Sequence, residues 1–322
     1  MTGIFSGATR LVKDGIKAAA ETHVCATRSG VVAIAGQPNV GKSTLLNTML
    51  GQKISIVSRK AQTTRQQVYG ILSRDGWQAA FIDTPGVISP RDRLQEVMVQ
   101  ASFRAVSGAD MVIVMTDARQ SDDAELDELL ERLRHVDVPR LLAINKVDLV
   151  DKPLLLPLIA RFNATGLFAA IVPVSALEGD GVEELLDEVA RRLPAGPFLY
   201  DAEQISTQPM RFFAAELVRE TIFESTRDEL PYAATVEVEE YKEREAGKIY
   251  IRALIYVERE SQKRIIIGHK GTLLKQIGKA ARAKIEEFAG TGVYLELWVK
   301  VQDKWRRDQA FLNERGFEPK GS

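Results

Sequence analysis

A single cysteine, Cys25, stands in a chain of 322 residues, so no internal disulfide can staple the fold, and a reducing compartment suits it. No apolar run approaches the roughly 20 residues that cross a bilayer as a helix. The N-terminus has no apolar core followed by a small-residue cleavage site, which argues against secretion. Neither sign of charge is in excess, with 43 Lys plus Arg against 44 Asp plus Glu. Bulk attraction to nucleic acid is thereby excluded, and such a partner has to be held by a local patch. There is no internal repeat and no low-complexity tract. What remains is a globular chain, 45% hydrophobic and long enough for two domains.

The strongest positive signal is Gly36-Gln37-Pro38-Asn39-Val40-Gly41-Lys42-Ser43, preceded by the apolar run Val31 to Ala35 and followed by Thr44-Leu45-Leu46-Asn47. The bare pattern arises by chance in about one chain of this length in a hundred, so the strand before it and the helix after it decide the reading. Gly36 and Gly41 let the backbone turn its N–H groups toward phosphate oxygens, and the helix N-terminus adds a positive dipole end. Lys42 can reach the β and γ phosphates, and Ser43 can ligate Mg²⁺.

From 31 to 193 apolar strand-like runs alternate with helical stretches. Val31 to Ala35, Gln67 to Ser73, Trp77 to Ile82, Met111 to Met115, Arg140 to Ile144 and Phe168 to Val174 read as strands, with helices at 42–50, 92–107, 122–136, 153–164 and 181–193. This is the pattern of an α/β domain whose largely parallel sheet is covered on both faces, with ligands at the C-terminal strand ends. The boundaries expected are an N-terminal extension at 1–29, an α/β domain carrying the phosphate loop at 30–193, a linker at 194–210 punctuated by Pro194, Gly196, Pro197 and Pro209, and a second, smaller α+β domain at 211–322. The extension carries Ile4, Phe5, Leu11, Val12 and Ile16 beside Arg10, Lys13 and Lys17; a mobile tail is favoured over an amphipathic helix on a membrane surface.

Asn145-Lys146-Val147-Asp148 follows a strand and names the base. A carboxylate at Asp148 can accept from guanine N1–H and its exocyclic amine, a donor pair that adenine lacks, and the wrong base leaves that carboxylate unpaired. Asn145 can hold the loop, the Lys146 stem can lie on the purine, and backbone N–H groups of Ser175-Ala176-Leu177 can support it. Asp83-Thr84-Pro85-Gly86 supplies a second metal-side carboxylate, with Asp83 reaching Mg²⁺ through water and the Gly86 N–H contacting the γ-phosphate. Between these motifs lies Gln62-Thr63-Thr64-Arg65, beside Arg59-Lys60; one threonine should close over Mg²⁺ and the γ-phosphate when GTP is bound, and Thr64 is favoured over Thr63. Val87 stands where a glutamine would orient the attacking water in small signalling GTPases. Asn39 can instead coordinate a monovalent cation, K⁺ over Na⁺, that spreads the developing charge, or it can simply stabilise its loop. Asn39, Lys42, Thr64 and Gly86 are thus the candidate catalytic residues.

In the second region a helical face (Phe213, Ala214, Leu217, Val218, Ile222) leads to strands Thr235 to Tyr241 and Lys248 to Val257, a helical turn near 261–267, the loop Gly268-His269-Lys270-Gly271, a helix over 272–288, strand Val293 to Val301 and a basic tail helix from about Asp303. A loop of this type clamps about four nucleotides of single strand. Lys263, Arg264, Lys270, Lys275 and Lys279 lie near it, and Lys300, Lys304, Arg306 and Arg307 cluster in the tail. They follow an acidic stretch at 228–245, so a near-neutral chain can still present a polarised face.

Together GQPNVGKSTLLN, KISIVSRKAQTTR, DTPG, NKVD, SAL, ELPYAATVEVEEY and RIIIGHKGTLLKQIG resemble the Era family of ribosome-associated GTPases, from about Val31 to the end of the chain. The resemblance implies a TrmE-Era-like P-loop GTPase domain followed by a type II KH domain of α-β-β-α-α-β order, using GTP/GDP and Mg²⁺. It implies single-stranded RNA binding near the 3′ end of 16S rRNA, with Ile267 to Gly271 in the clamp, and a role in maturation of the 30S subunit. Cytoplasmic location with peripheral inner-membrane association is also implied, and a monomer is expected. The alternative is a membrane-associated signalling GTPase whose second domain binds a protein. Nothing is carried onto the extension before Val31.

Overall fold

The computed structural model describes residues 27–317 apart from residues 59, 61–62, 88, 120–123 and 245–246. The expectations for most of the N-terminal extension, with Cys25, and for Arg59 and Gln62 lie outside these residues.

The N-terminal domain is a six-stranded sheet ordered β2-β3-β1-β4-β5-β6, formed by β1 (Arg28–Gly36), β2 (Val68–Arg74), β3 (Trp77–Asp83), β4 (Met111–Asp117), β5 (Arg140–Asn145) and β6 (Ala170–Pro173). Only β2 runs antiparallel to its neighbour. Strand β1 begins inside the span expected to be extension. The central strands carry continuous apolar runs because both of their faces are covered. Val32, Ile34, Met111, Ile113, Met115, Leu141 and Ala143 enter one core, beneath α1 (Lys42–Leu50) and α5 (Val182–Arg192). Their alternates Ala33, Ala35, Val112, Val114, Leu142 and Ile144 enter the other, beneath α2 (Arg93–Ser107), α3 (Ala124–Leu133) and α4 (Lys152–Ala164).

Residues 194–209 form no helix or strand beyond an isolated Arg28–Ala195 bridge, yet they are fastened along the sheet. The buried Gln78 side chain accepts from the amides of Leu199 and Tyr200 at 2.8 and 2.9 Å. Ile71 N donates to Ile205 O at 2.7 Å, and the Gln208 amide bonds both Tyr69 N and Gln67 O.

The second domain follows as α6 (Met210–Ser225), a four-residue helix α7 (Leu230–Ala233), β7 (Thr235–Glu243), β8 (Ile249–Val257), α8 (Glu260–Ile267), α9 (Thr272–Ala289) and β9 (Val293–Val301). Its sheet is ordered β7-β8-β9, antiparallel then parallel, and one face packs on α6, α8 and α9 through Leu217, Ile251, Ile255, Ile266, Ile277 and Ile285. The expected tail helix is instead a 3-10 turn, Trp305–Arg307, and a separate α10 (Gln309–Glu314). Asp308 divides them by capping α10, accepting from Phe311 N at 3.1 Å.

The tail builds the domain junction. Trp305, fully buried, packs with Leu254, Tyr256, Phe311 and Leu312 against Leu94 and Met98 of α2, and its indole donates to Ala233 O at 2.8 Å. Trp305→Ala is expected to cost about 3–5 kcal/mol. Urea unfolding followed by circular dichroism should show a lower midpoint and the two domains melting in separate transitions.

Candidate functional site

Parallel register puts the motif-bearing loops at one edge of the sheet. Ile34 is opposite Asp83, Gly36 opposite Met115, Asp117 opposite Asn145, and Ile144 opposite Pro173. The loop between β1 and α1 therefore lies beside the loops that follow β3, β4, β5 and β6.

In the first of these loops Gly41 has φ +102°, and a Cβ there would come within 2.3 Å of Asn145 Nδ2. Only glycine permits both the left-handed turn and the close approach. Asn39 is also left-handed, at φ 62°. Gln37 and Val40 are buried, Thr44 sits in the first turn of α1, and Pro38 rests against Gly86. Lys42 is buried, and its ammonium donates to Gly36 O at 3.0 Å and Gln37 O at 2.7 Å. Burial lowers its pKa to about 8 against the opposing pull of Asp83, so the loop holds a cation whose full compensation awaits an anion.

Asp83 is completely buried. Its Oδ2 accepts from Ser43 at 2.6 Å, Ser55 at 2.8 Å and Thr64 at 3.4 Å, while its Oδ1 has no partner among the described residues. Burial pushes this carboxyl up, opposed by the Ser43 hydroxyl and the Lys42 charge. Ser43 Oγ and Thr64 Oγ1 lie 2.8 Å apart, whereas Thr63 turns away to Lys60 O. Two hydroxyls and a carboxylate with an orphaned oxygen form an all-oxygen set that fits a hard divalent cation such as Mg²⁺. Thr84 Oγ1 donates to Ile34 O, Ser102 Oγ donates to Pro85 O, and Val87 N donates to Gly36 O, which fastens the Asp83 loop to β1 and α2. The Val87 side chain is buried.

Asn145 spans two loops, its Nδ2 donating to Val40 O at 2.7 Å and its Oδ1 accepting from Ala176 N at 2.9 Å. Lys146, left-handed at φ 65°, donates to Asn39 O at 2.6 Å and to Asp117 at 2.7 Å. Asp148 is exposed in the turn Val147–Leu149. The expectation for Ser175, Ala176 and Leu177 is revised in part. The Ser175 amide bonds Asp180 O and that of Ala176 bonds Asn145, so two of the three N–H groups serve the loop itself, while the Leu177 side chain stands in solvent.

In the second domain Gly268, at φ +72°, ends α8, with its N–H bonded to Arg264 O; a Cβ there would lie 2.9 Å from Leu273 N. Lys270 is left-handed at φ 50°, and the loop runs straight into α9 at Thr272. His269, Lys270, Arg264 and Lys275 are exposed, with Lys263, Ile267 and Gly271 partly covered, so one rim carries the cations. Exposed Ile265 adds an apolar contact beside them. Arg306 leaves the expected basic cluster and pairs with Glu258 and with Asp92 of the first domain, where α2 starts.

Four residues to which the sequence assigns no role matter most. Ser55 completes the Asp83 set. Asp117 holds Lys146. Glu220, buried on α6, bonds Val57 N and pairs with Lys53 and with Lys284 of α9. Arg65, next to Thr64, is buried in the second domain, donating to the carbonyls of Ala234 (2.7 Å), Pro231 (3.2 Å) and Tyr232 (2.8 Å), with Phe223 and Trp305 rings beside its guanidinium. Burial, then the nearby Arg219, brings its pKa to about 9, so it stays charged at neutral pH. An arginine inside a threonine loop was the available signal.

A glycine loop with its lysine, a buried carboxylate facing a serine and a threonine, and a base loop ending in an exposed carboxylate define a P-loop GTPase, here joined to a KH domain. Residues 31–146 match a family profile described as a 50S ribosome-binding GTPase, and residues 229–306 match that of the KH domain. The chain is 47% identical over 291 residues to GTPase Era of Geobacter metallireducens, covering 90% of this chain and 98% of that one. It is 43% identical over 293 residues to GTPase Era of Lactobacillus delbrueckii subsp. bulgaricus, covering 91% and 97%. A variant of Aquifex aeolicus Era bound to GDP and AlF4⁻ superposes with a TM-score of 0.88 at 39% identity, over 91% of this chain and all of that one. The same values hold for Era in complex with MgGDPNP and nucleotides 1506–1542 of 16S ribosomal RNA. The chain belongs to the GTPase Era family.

Asp148→Asn inverts one hydrogen-bonding position of the base loop. It is expected to shift preference from guanosine to xanthosine nucleotides by about a hundredfold, measured by competition against a fluorescent GDP; unchanged selectivity would remove the base assignment.

Proposed function

We propose that the protein is a GTP-switched RNA-binding factor that acts on the 3′ end of 16S rRNA during maturation of the 30S subunit, in the cytoplasm and as a monomer. The observation that carries this reading is the adjacency of Thr64, which meets Ser43 and Asp83, and Arg65, which is buried in the KH domain. A threonine that answers to the nucleotide is bonded in sequence to an arginine that answers to the RNA-binding domain. A change at one must be accommodated at the other, and that is a coupling free energy between two sites. The Era complex with a 16S rRNA fragment supports the choice of RNA.

In this reading Gly36, Gln37, Pro38, Asn39, Val40, Gly41, Lys42, Ser43 and Thr44 hold the phosphates, Asn145, Lys146 and Asp148 hold the guanine with Ala176 and Leu177 beside it, and Ser43, Thr64 and Asp83 hold Mg²⁺. When bound, the metal supplies positive charge that offsets the phosphate oxygens. Lys42 adds a second charge from inside the loop, and Gly86, against Pro38, brings the Asp83 loop close to the γ-phosphate position. Val87, apolar and turned inward, leaves the attacking water without a side chain to orient it. Basal hydrolysis is therefore slow, and Asn39, exposed at the mouth of the loop, is placed to take K⁺. Peripheral membrane attachment is a minor part of the proposal; no helix among the described residues is long and apolar enough to cross a membrane. A signalling GTPase with a protein-binding second domain is disfavoured by the match of residues 229–306 to a KH profile.

Gly268→Asp forces a Cβ against Leu273 and sets a negative charge where phosphate would approach. Filter binding of a single-stranded fragment from the 3′ end of 16S rRNA is expected to weaken about tenfold or more, with GDP binding retained as the sign of a folded chain; wild-type RNA affinity in the variant would overturn the clamp. GTP hydrolysis should run faster in K⁺ than in Na⁺, and Asn39→Ala should abolish that difference while leaving GDP bound. Equal rates of the parent protein in both salts would end the cation role.

A further inference from the structure

Asp117, the last residue of β4, is 2% exposed and carries more hydrogen bonds than a strand end requires. Its Oδ1 accepts from the Arg119 backbone N–H and Nε, both at 3.0 Å, and its Oδ2 accepts from Arg119 Nη2 and Lys146 Nζ, both at 2.7 Å. These bonds outweigh its burial and hold its pKa at about 2, so the carboxylate is charged at every pH at which the protein works. Strand register seats it opposite Asn145, at the root of the base loop. Arg119 is half exposed; Ala118 N donates to Asn145 O at 2.8 Å, which sets the Arg119 turn against the root of the loop carrying Asp148, and the Asp117 hydrogen bonds, with a smaller contribution from the Asp148 charge, raise the pKa of its guanidinium.

The chemistry of Arg119 makes that arrangement consequential. A guanidinium offers two parallel N–H donors to a carboxylate, the same paired pattern that the N1–H and exocyclic amine of guanine offer to Asp148. An unpaired arginine on the turn beside the base loop is therefore a competitor for the surface that reads the base. We infer that Asp117 is a positioning residue for the guanine site: by taking both donors of Arg119 it keeps Asp148 open to the purine, while the same carboxylate anchors Lys146 on the phosphate loop. The inference rests on Asp148 as the purine-selecting carboxylate.

Asp117→Asn removes the anion and releases Arg119 beside the loop that carries Asp148. Isothermal titration with GDP should show affinity weakened by about ten- to a hundredfold, the worth of a charged hydrogen bond. The double variant D117N/R119A should regain most of the lost affinity, since it deletes the competitor. A merely structural Asp117 would give no such rescue. Parental affinity in D117N, or a double variant as weak as the single one, would overturn the inference. If D117N does not fold, as judged by its thermal melt, D117S and D117S/R119A take its place with the same two outcomes. The parent titrated with GDP and ADP is the separate check: equal affinities there would remove the base site itself, whereas a guanine-selective parent with an insensitive D117N removes only the role of Asp117.

Discussion

Everything functional in the first domain depends on strands running in one direction. Because β1, β3, β4, β5 and β6 are parallel and in register, their C-terminal ends fall along one line, and loops far apart in sequence become neighbours. The side chains then lock that line with few atoms. Asn145 joins the phosphate loop to the Ser175 loop, Lys146 joins it to β4, and Val87 N joins it to the loop after β3. The site is preorganised by bonds among its own loops, so a nucleotide enters a framework already set.

The second dependence is electrostatic. A guanidinium inside a protein needs compensation, and Arg65 finds it in three carbonyls around a short helix and two aromatic rings. Glu220 repeats the theme in the opposite sign, bridging Lys53 before the threonine loop and Lys284 on the helix that follows the Gly268 loop. Lys60 adds donations to Phe223 O and Thr226 O. The segment between α1 and β2 is thus held at several points by charges whose partners belong to the other domain, and pulling it away leaves buried charges uncompensated.

Much of this was legible in the sequence, and the boundary of legibility has a physical cause. Motifs whose chemistry is local to a few consecutive residues could be read directly: the glycine loop before α1, Asp83 after β3, Asn145 to Asp148 after β5, and the Gly268 loop. The alternation of Val32, Ile34 and Ala33, Ala35 foretold a sheet covered on both sides. What could not be read was any role set by a partner distant in sequence. Asp117 gains its meaning from strand register with Asn145. Arg306 looked like part of a basic surface and is spent on Asp92 and Glu258, because its tail folds back on α2. The amides of Ser175 and Ala176 turn inward for a similar reason, since Asn145 and the Asp180 carbonyl reach them first. The tail breaks at Asp308, whose side chain caps a new helix rather than continuing a single one from Asp303.

The residues between the domains look like a tether by composition, but they are stitched to Gln78, Ile71, Tyr69 and Gln67 as far as Gln208. Free chain is therefore scarce between the last stitch and the start of α6 at Met210. If the RNA-binding domain turns, it must swivel about a point near Pro209, like a door on one pin. It cannot drift away on a leash, and its released surfaces stay within a short arc of the loops they left.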